Sequence, residues 1–410
     1  MKERKRKVHS LIDKVYSLTN LDLAWAKVKA NRGGAGVDRM TIDAVTAHWP
    51  EYRLELHQAL KDGTYRPQPV KRVYIPKPDG RQRPLGIPTV LDRVVQQALL
   101  NRLEPIFEQK FLPVSFGFRS GKSTHDAMRG IWRDLQAGWQ WIVDGDIQDC
   151  FGSIPHERLS DLVAEEISDG RVLGLIRQFL TADIQEGMER RKATTGTPQG
   201  GGISPLLCNI FLHEFDRAMV AKGYKLTRYA DDWAILCRSR AQASKALQDA
   251  KAVLEGNLGL VLHPTKTRIV HITQGFEFLG YRVRKGGGVA RVDRGPSIYV
   301  MPRDKSVEAF RGKVRELTRR RSHKTLVQVI AELNPLLRGW GMYYRKAHVM
   351  KLFHRLDEWV RRRIWAFIAK RWRSTAYRRY PSRRLHGEMG LVNLFALIPR
   401  TPKRPLAGNG

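Results

Sequence analysis

Two adjacent aspartates set inside strand-like sequence constrain this chain more than any other feature. Asp231 and Asp232 follow Tyr229 and Ala230, with Leu226 before them and the apolar run Trp233-Ala234-Ile235-Leu236 after. Unit charges about 4 Å apart repel by roughly 1 kcal/mol in water and roughly 4 kcal/mol at an effective dielectric of 20. A fold that buries the flanking strands must therefore compensate the pair. Leu226 to Cys237 reads as two strands joined at a tight turn that carries the acids. A divalent cation reverses the sign of the repulsion, and carboxylate oxygens suit magnesium, which keeps waters and binds substrate phosphates as well. A solvated hairpin turn is the plainer explanation of the tetrapeptide alone.

A third carboxylate comes from upstream. Trp139 to Ile147 reads as a buried strand carrying Asp144 and Asp146 toward its end. Residues two apart on a strand share a face, so either acid can reach a metal. Phe151 lies five residues beyond Asp146. Acids from two strands could clamp two ions about 3.5–4 Å apart, an arrangement that activates a 3′-hydroxyl and stabilises a leaving pyrophosphate. Between these pieces runs Gly196-Thr197-Pro198-Gln199-Gly200-Gly201-Gly202-Ile203-Ser204-Pro205. Its glycines let backbone approach a ligand, and the helix expected over 203–221 offers free N–H groups. A plain turn explains such a loop equally well.

Charge points to the partner. Lys and Arg total 73 against 40 acids, a net +33 over 410 residues. Residues 301–410 hold 27 basic and 7 acidic side chains, a net +20, leaving +13 for the first 300. Basic residues interleaved with Trp, Tyr and Phe suit phosphate backbones and stacked bases. An anionic membrane would prefer an amphipathic terminal helix, and none dominates. No apolar run approaches the roughly 20 residues that span a bilayer, and no apolar signal core follows MKERKRKVHS, so a cytoplasmic protein is expected. Cys150, Cys208 and Cys237 form no C-x-x-C pair; packed, reduced thiols are expected rather than zinc ligands.

At roughly 100–200 residues per domain, two to four domains are expected. The first 60 residues read as helical pieces around the loop from Asn31 to Gly36. A strand over Val70 to Pro76 and a turn at Pro78-Asp79-Gly80-Arg81 follow, then a helix over 91–108. Arg240 to Gly256 is helical. So are Val307 to Arg321, Leu326 to Arg345 and Lys351 to Trp372, their outer faces dense in cations. The pattern predicts a basic helical bundle appended to an α+β domain, and a partly irregular basic tail from 373.

In order along the chain, Asp146 to Phe151, Thr197-Pro198-Gln199-Gly200 and Tyr229-Ala230-Asp231-Asp232 resemble motifs A, B and C of reverse transcriptases. Tyr74-Ile75-Pro76-Lys77 with Arg81-Gln82-Arg83-Pro84-Leu85 resembles the fingers motif. Leu258-Gly259-Leu260 with Pro264-Thr265-Lys266-Thr267 resembles motif D, and Phe278-Leu279-Gly280-Tyr281 resembles the primer grip. The loop from Asn31 to Asp38 and the run from Leu337 to Arg345 resemble the N-terminal extension and the maturase, or thumb, domain of the group II intron branch.

The resemblance implies a right-hand polymerase: an N-terminal extension over 1–60, fingers and palm over 61–295, a helical maturase (thumb) domain over 296–372 and a DNA-binding tail over 373–410. It implies RNA-directed DNA synthesis with two Mg2+ ions, for which Mn2+ can substitute. The partners would be an RNA template with DNA primer, deoxynucleoside triphosphates, intron RNA and target DNA. Asp146, Asp231 and Asp232 would be the catalytic metal carboxylates, with the carbonyl of Ile147 completing a shell. The family pattern selects Asp146 over Asp144. Lys77 and Arg83 would grip the triphosphate, Phe151 would exclude a 2′-hydroxyl, Gln199 would contact the nucleotide, and Lys266 could protonate pyrophosphate. Phe278, Leu279, Gly280 and Tyr281 would meet primer and template. Arg338, Trp340, Tyr344 and Arg345 would bind RNA from the thumb.

Two departures stand out. Gly341-Met342 replaces the usual Ala-Asn of the thumb motif, and Gln148-Asp149 replaces the usual Lys-Gly of motif A. The chain resembles the short, endonuclease-lacking members, which are thought to insert through existing single strands or replication forks. Three alternatives share part of this pattern: a domesticated relative in defence or repair, a splicing-only RNA-binding maturase, and a polymerase making RNA, with which Phe151 conflicts.

Overall fold

The computed structural model describes residues 7–76, 80, 82–197, 200–286, 297–369 and 375–399. They fall into two compact units. The first takes residues up to 130 together with 141–269, and the second takes 131–140 together with residues from 270 onward.

Helices open the first unit. Ser17 caps Leu18–Ala30 by accepting from Asn20 N. Leu21, Ala24, Trp25 and Val28 recur at helical spacing and are buried, packing the helix on Val90–Glu108. Val70–Pro76 pairs antiparallel with Gln82–Ile87, placing Ile75 opposite Arg83. Val70 also runs parallel to Ile184, in the hairpin of Ile184–Glu186 and Glu189–Arg191. This hairpin carries no periodic signal, because Glu189, Arg190 and Arg191 are all exposed and show no apolar alternation.

The main sheet runs in the order Lys225–Tyr229, Asp232–Cys237, Trp141–Gly145, Arg268–His271. The expected strand pair and its turn are present. Ser204–Ala221 buries Leu207, Phe211 and Phe215, with the Phe215 ring 5.2 Å from that of Trp233. Arg240–Lys251 approaches the sheet through buried Ala243, Ala246 and Ala250. The helix expected to reach Gly256 is α-helical only to Lys251 and continues as a π-helical turn, Ala252–Asn257. That wider turn keeps both Val253 and Leu254 buried.

The second unit joins a three-stranded antiparallel sheet, Phe276–Phe278, Tyr281–Lys285 and Ile298–Pro302, to the helices Asp304–Leu317, Leu326–Tyr344 and Met350–Ala369. Thr325 and Gln328 form a capping box at the second helix. The first helix was expected to run to Arg321 but ends at Leu317. There Arg363 donates to the Thr318 hydroxyl at 3.1 Å and carbonyl at 3.2 Å, a cation closing the helix C-terminus. Asp357 accepts from Leu394 N and Phe395 N at 2.8 and 2.9 Å, which fastens the irregular C-terminal segment. Among the described residues no helix is long and apolar enough to cross a membrane. All three cysteines are free and buried.

Candidate active site

Tyr229 pairs directly with Asp232, so Ala230 and Asp231 are the two turn residues. Ala230 has φ +58°, a left-handed conformation that costs a non-glycine residue energy unless its surroundings enforce it. Gly117 supplies part of the enforcement: a Cβ there would lie 2.3 Å from Ala230 N, so only glycine admits this approach. Arg228 supplies the rest. Its wholly buried guanidinium donates to both Asp216 oxygens at 2.6 Å, to Asn209 Oδ1 at 2.9 Å and to Ala230 O at 2.9 Å. Burial alone would pull the arginine pKa down; Asp216 reverses this and holds it above its ordinary value.

Asp146 follows the Trp141–Gly145 strand. Gly145 pairs with Trp233, and the indole passes where a Cβ on residue 145 would stand, 2.1 Å away. Glycine between Asp144 and Asp146 thus lets the two acid-bearing strands close. Asp146 Oδ2 accepts from Lys266 Nζ at 2.6 Å, and Asp144 Oδ2 from Arg268 Nε at 3.2 Å. Gln148 N donates to Val261 O and His263 N to Asp146 O, each at 2.8 Å. This bridge uses the carbonyl of Asp146 and leaves that of Ile147 outside it.

Asp231 and Asp232 both feel neighbouring acids. Burial raises the Asp231 pKa and the charge of Asp146 adds to it, while Arg83 and Lys266 pull it back. Asp232 is pushed up to about 7, first by the protein packed around it, then by Asp231, Asp146 and Asp144, with Lys266 opposing. Asp232 also meets solvent, so screening limits what this costs in stability and the main consequence is a shifted charge state. Lys266 offsets part of that negative charge at both aspartates, and Arg83 does so at Asp231. Among the described residues, no group of three or more His, Cys, Asp or Glu side chains is arranged to hold a metal ion. Magnesium sites that handle phosphates draw on one or two carboxylates plus substrate oxygens and waters rather than a closed protein cage.

Phe151 is buried, its ring edge-on to that of Phe118 at 6.1 Å. The glycine-rich segment is tied to the same place: Thr197 N donates to Phe151 O at 2.7 Å, Gly196 N to Ile154 O at 2.8 Å, and His156 Nε2 to Gly196 O at 2.7 Å. Gln96 Oε1 accepts from Gly202 N at 2.7 Å. Asp149 rests its carboxylate against Gly152. Lys77 and Gln199 lie outside the described residues, as do Pro78, Asp79, Arg81 and Pro198.

In the second unit, Leu279 and Gly280 form a two-residue turn with φ +49° and +75°. Phe278 and Tyr281 are buried. Tyr343 donates to Leu279 O at 2.8 Å, Tyr344 to Gly280 O at 3.1 Å, and Tyr281 to Tyr343 O at 2.5 Å. Trp340 stacks on Phe310 at 4.5 Å, and Tyr344 is buried. Tyr344 therefore builds the interior of this unit with half-buried Trp340 packed beside it, whereas Arg338 is exposed and Arg345 half-buried. Gly341 faces Leu394 and Leu397, whose side-chain ends would lie 2.9 and 2.5 Å from a Cβ. The departure from Ala makes room for them.

Arg228, Asp216, Asn209, Gly117 and His156 escaped the sequence reading. Arg228 shares its strand face with apolar Leu226, a position where a charge demands a partner. That was the available signal, and it could not name Asp216 on a separate helix.

Residues 75–283 match the family model described as reverse transcriptase (RNA-dependent DNA polymerase), and residues 307–385 match the group II intron, maturase-specific domain. Protein YkfC of Escherichia coli is 35% identical over 299 residues, covering 63% of this chain and 78% of that protein. Group II intron-encoded protein LtrA of Lactococcus lactis is 32% identical over 336 residues, covering 66% and 56%. A 91 kDa protein in the cob intron of Schizosaccharomyces pombe is 27% identical over 410 residues, covering 80% and 49%. The chain thus spans about half the length of the latter two.

Proposed function

The chain belongs to the reverse transcriptase (RNA-dependent DNA polymerase) family and carries a group II intron maturase-specific domain, and from that premise we propose that it copies an RNA template into DNA and binds intron RNA to assist splicing and retrohoming. The observation that supports the reading is strand register: Gly145 stands opposite Trp233 on antiparallel strands, so Asp146 and Asp232 are the next residues on the paired chains, with Asp231 in the adjoining turn.

Asp146, Asp231 and Asp232 would hold two Mg2+ ions, or Mn2+ in their place, with the Ile147 carbonyl free of the neighbouring bridge to join them. When bound, the ions supply activation of the primer 3′-hydroxyl and stabilisation of the leaving pyrophosphate. Arg83, whose charge already reaches Asp231, would bind the triphosphate of an incoming deoxynucleotide; Lys77 and Gln199 would join it. Phe151, wedged by Phe118, would close the space beside the sugar C2′. Lys266, paired with Asp146, would offset the charge of the site and could protonate pyrophosphate. The fingers and palm would extend over 61–295, preceded by the extension over 1–60. The thumb over 296–372 and tail over 373–410 would grip intron RNA, primer–template and target DNA through exposed cations such as Arg338. Phe278, Leu279, Gly280 and Tyr281 would shape the primer grip, with Trp340 and Tyr344 supporting it and Arg345 at its margin.

Primer extension on an RNA template with Mg2+ tests the reading. The wild-type chain should synthesise DNA and Asp231→Ala should not. Undiminished synthesis by the variant would overturn it. Affinity for structured RNA should also fall steeply as salt rises, because phosphate contacts release counterions.

A further inference from the structure

Arg228, Asp216 and Asn209 are wholly buried, so none of them can touch a nucleotide or a template. They nevertheless hold the backbone that carries the carboxylates. Arg228 Nε and Nη2 grip the two oxygens of Asp216 at 2.6 Å each. Nη1 reaches in two directions, to Asn209 Oδ1 and to Ala230 O, at 2.9 Å each. Asn209 passes the connection on: its Nδ2 donates to Gly117 O at 2.8 Å. Gly117 in turn packs so close to the Ala230 backbone that a Cβ on it would lie 2.3 Å from Ala230 N. Backbone bonds close the arrangement, Arg228 N to Val114 O at 2.8 Å and Phe116 N to Arg228 O at 2.9 Å. Ala230, left-handed at φ +58°, is thus bonded at its carbonyl and closely packed at its amide, one residue before Asp231.

An ordinary buried ion pair would satisfy itself. This one also directs a guanidinium donor at the carbonyl of the turn. We propose that Arg228, held by Asp216 and Asn209, is a positioning residue that sets where the Asp231 and Asp232 carboxylates stand, acting through the Ala230 carbonyl and the Gly117 backbone. The proposal rests on the polymerase reading, in which those carboxylates hold the divalent cations. It adds to that reading residues that no motif containing the acids themselves supplies. A planar fork is required, because a lysine ammonium can replace the charge but cannot span Asp216, Asn209 and Ala230 together.

Arg228→Lys and Asn209→Ala test this against the wild-type chain. Thermal melting reports the fold, primer extension reports kcat and KM for the deoxynucleotide, and Mn2+ binding followed by electron paramagnetic resonance reports the site without turnover. Partners that orient metal ligands typically change affinity or activity by about 10-fold or more when removed. Arg228→Lys, where folded, should lower kcat about 10-fold and weaken Mn2+ binding by a similar factor, with KM changed less than about twofold. Asn209→Ala keeps the ion pair and should move both quantities the same way, by about threefold. A purely structural role would lower the melting temperature and leave kcat and Mn2+ affinity of the folded protein at wild-type values; that result overturns the proposal. If Arg228→Lys does not fold, Asn209→Ala decides by the same two readouts. A wild-type chain that makes no DNA would instead sink the polymerase reading.

Discussion

Two hairpins in this protein each close on a two-residue turn and put it to opposite ends. Tyr229-Ala230-Asp231-Asp232 and Phe278-Leu279-Gly280-Tyr281 each close on two residues, and each places a non-glycine residue at positive φ, Ala230 at +58° and Leu279 at +49°. The first exposes carboxylates and is anchored by a fully buried Arg228–Asp216 pair. The second carries no charge and is anchored by hydroxyls of Tyr343 and Tyr344 on its carbonyls. Adjacent acids repel through the turn, so the charged hairpin requires a rigid, directional support. A neutral turn is held adequately by neutral hydrogen bonds.

The largest effect should separate the two turns by chemistry. Asp231→Ala should cut DNA synthesis on the order of 10³-fold or more while the protein still folds, since a metal site supplies several kcal/mol to the transition state. Anchors come next. Arg228→Met leaves Asp216 buried without a partner and should cost about 3–5 kcal/mol in denaturant melts; a loss comparable to that of a neutral hydrogen bond would erase the distinction between the hairpins. Gly117→Ala forces a methyl onto Ala230 N and should cost roughly 1–3 kcal/mol, measured the same way, with activity falling in parallel. Tyr344→Phe removes one hydroxyl–carbonyl bond from the neutral hairpin and should cost only about 1 kcal/mol.

The smallest effect is a pH slope. Folded Asp232, pushed up to about 7, retains a proton that the unfolded chain releases near its ordinary value. Without divalent cations, stability should therefore fall as pH rises from the ordinary carboxylate range through about 7. Asp232→Asn should flatten that slope, and added Mg2+ should reduce it. The Leu279-Gly280 turn has no carboxylate to contribute.

Long, periodic elements were legible from residues alone. Val70–Pro76, the helix over 90–108, the acid-bearing strand pair and the three helices of the second unit stand close to where periodicity puts them. Elements without periodicity were not, as with the hairpin over 184–191, half-buried on one strand and exposed on the other. A need for compensation was legible where chemistry is unusual, as at Asp231-Asp232, and a side chain's surroundings were not where a residue type has several uses. Trp340 and Tyr344 illustrate this: an aromatic beside a basic run suits base stacking, yet here the rings pack on Phe310, Tyr281 and each other.

By itself the sequence determined that two adjacent acids need compensation, that a third waits on another strand, and that the chain as a whole seeks polyanions, because charge and alternation are properties of residue order. It left open which of Asp144 and Asp146 faces the pair and what holds the turn in place. Tertiary structure alone decided that Arg228 meets Asp216 and Asn209 beneath Ala230 and that Gly117 closes over it. A buried charge announces that it needs a partner, but only the folding of distant segments together selects which one it gets.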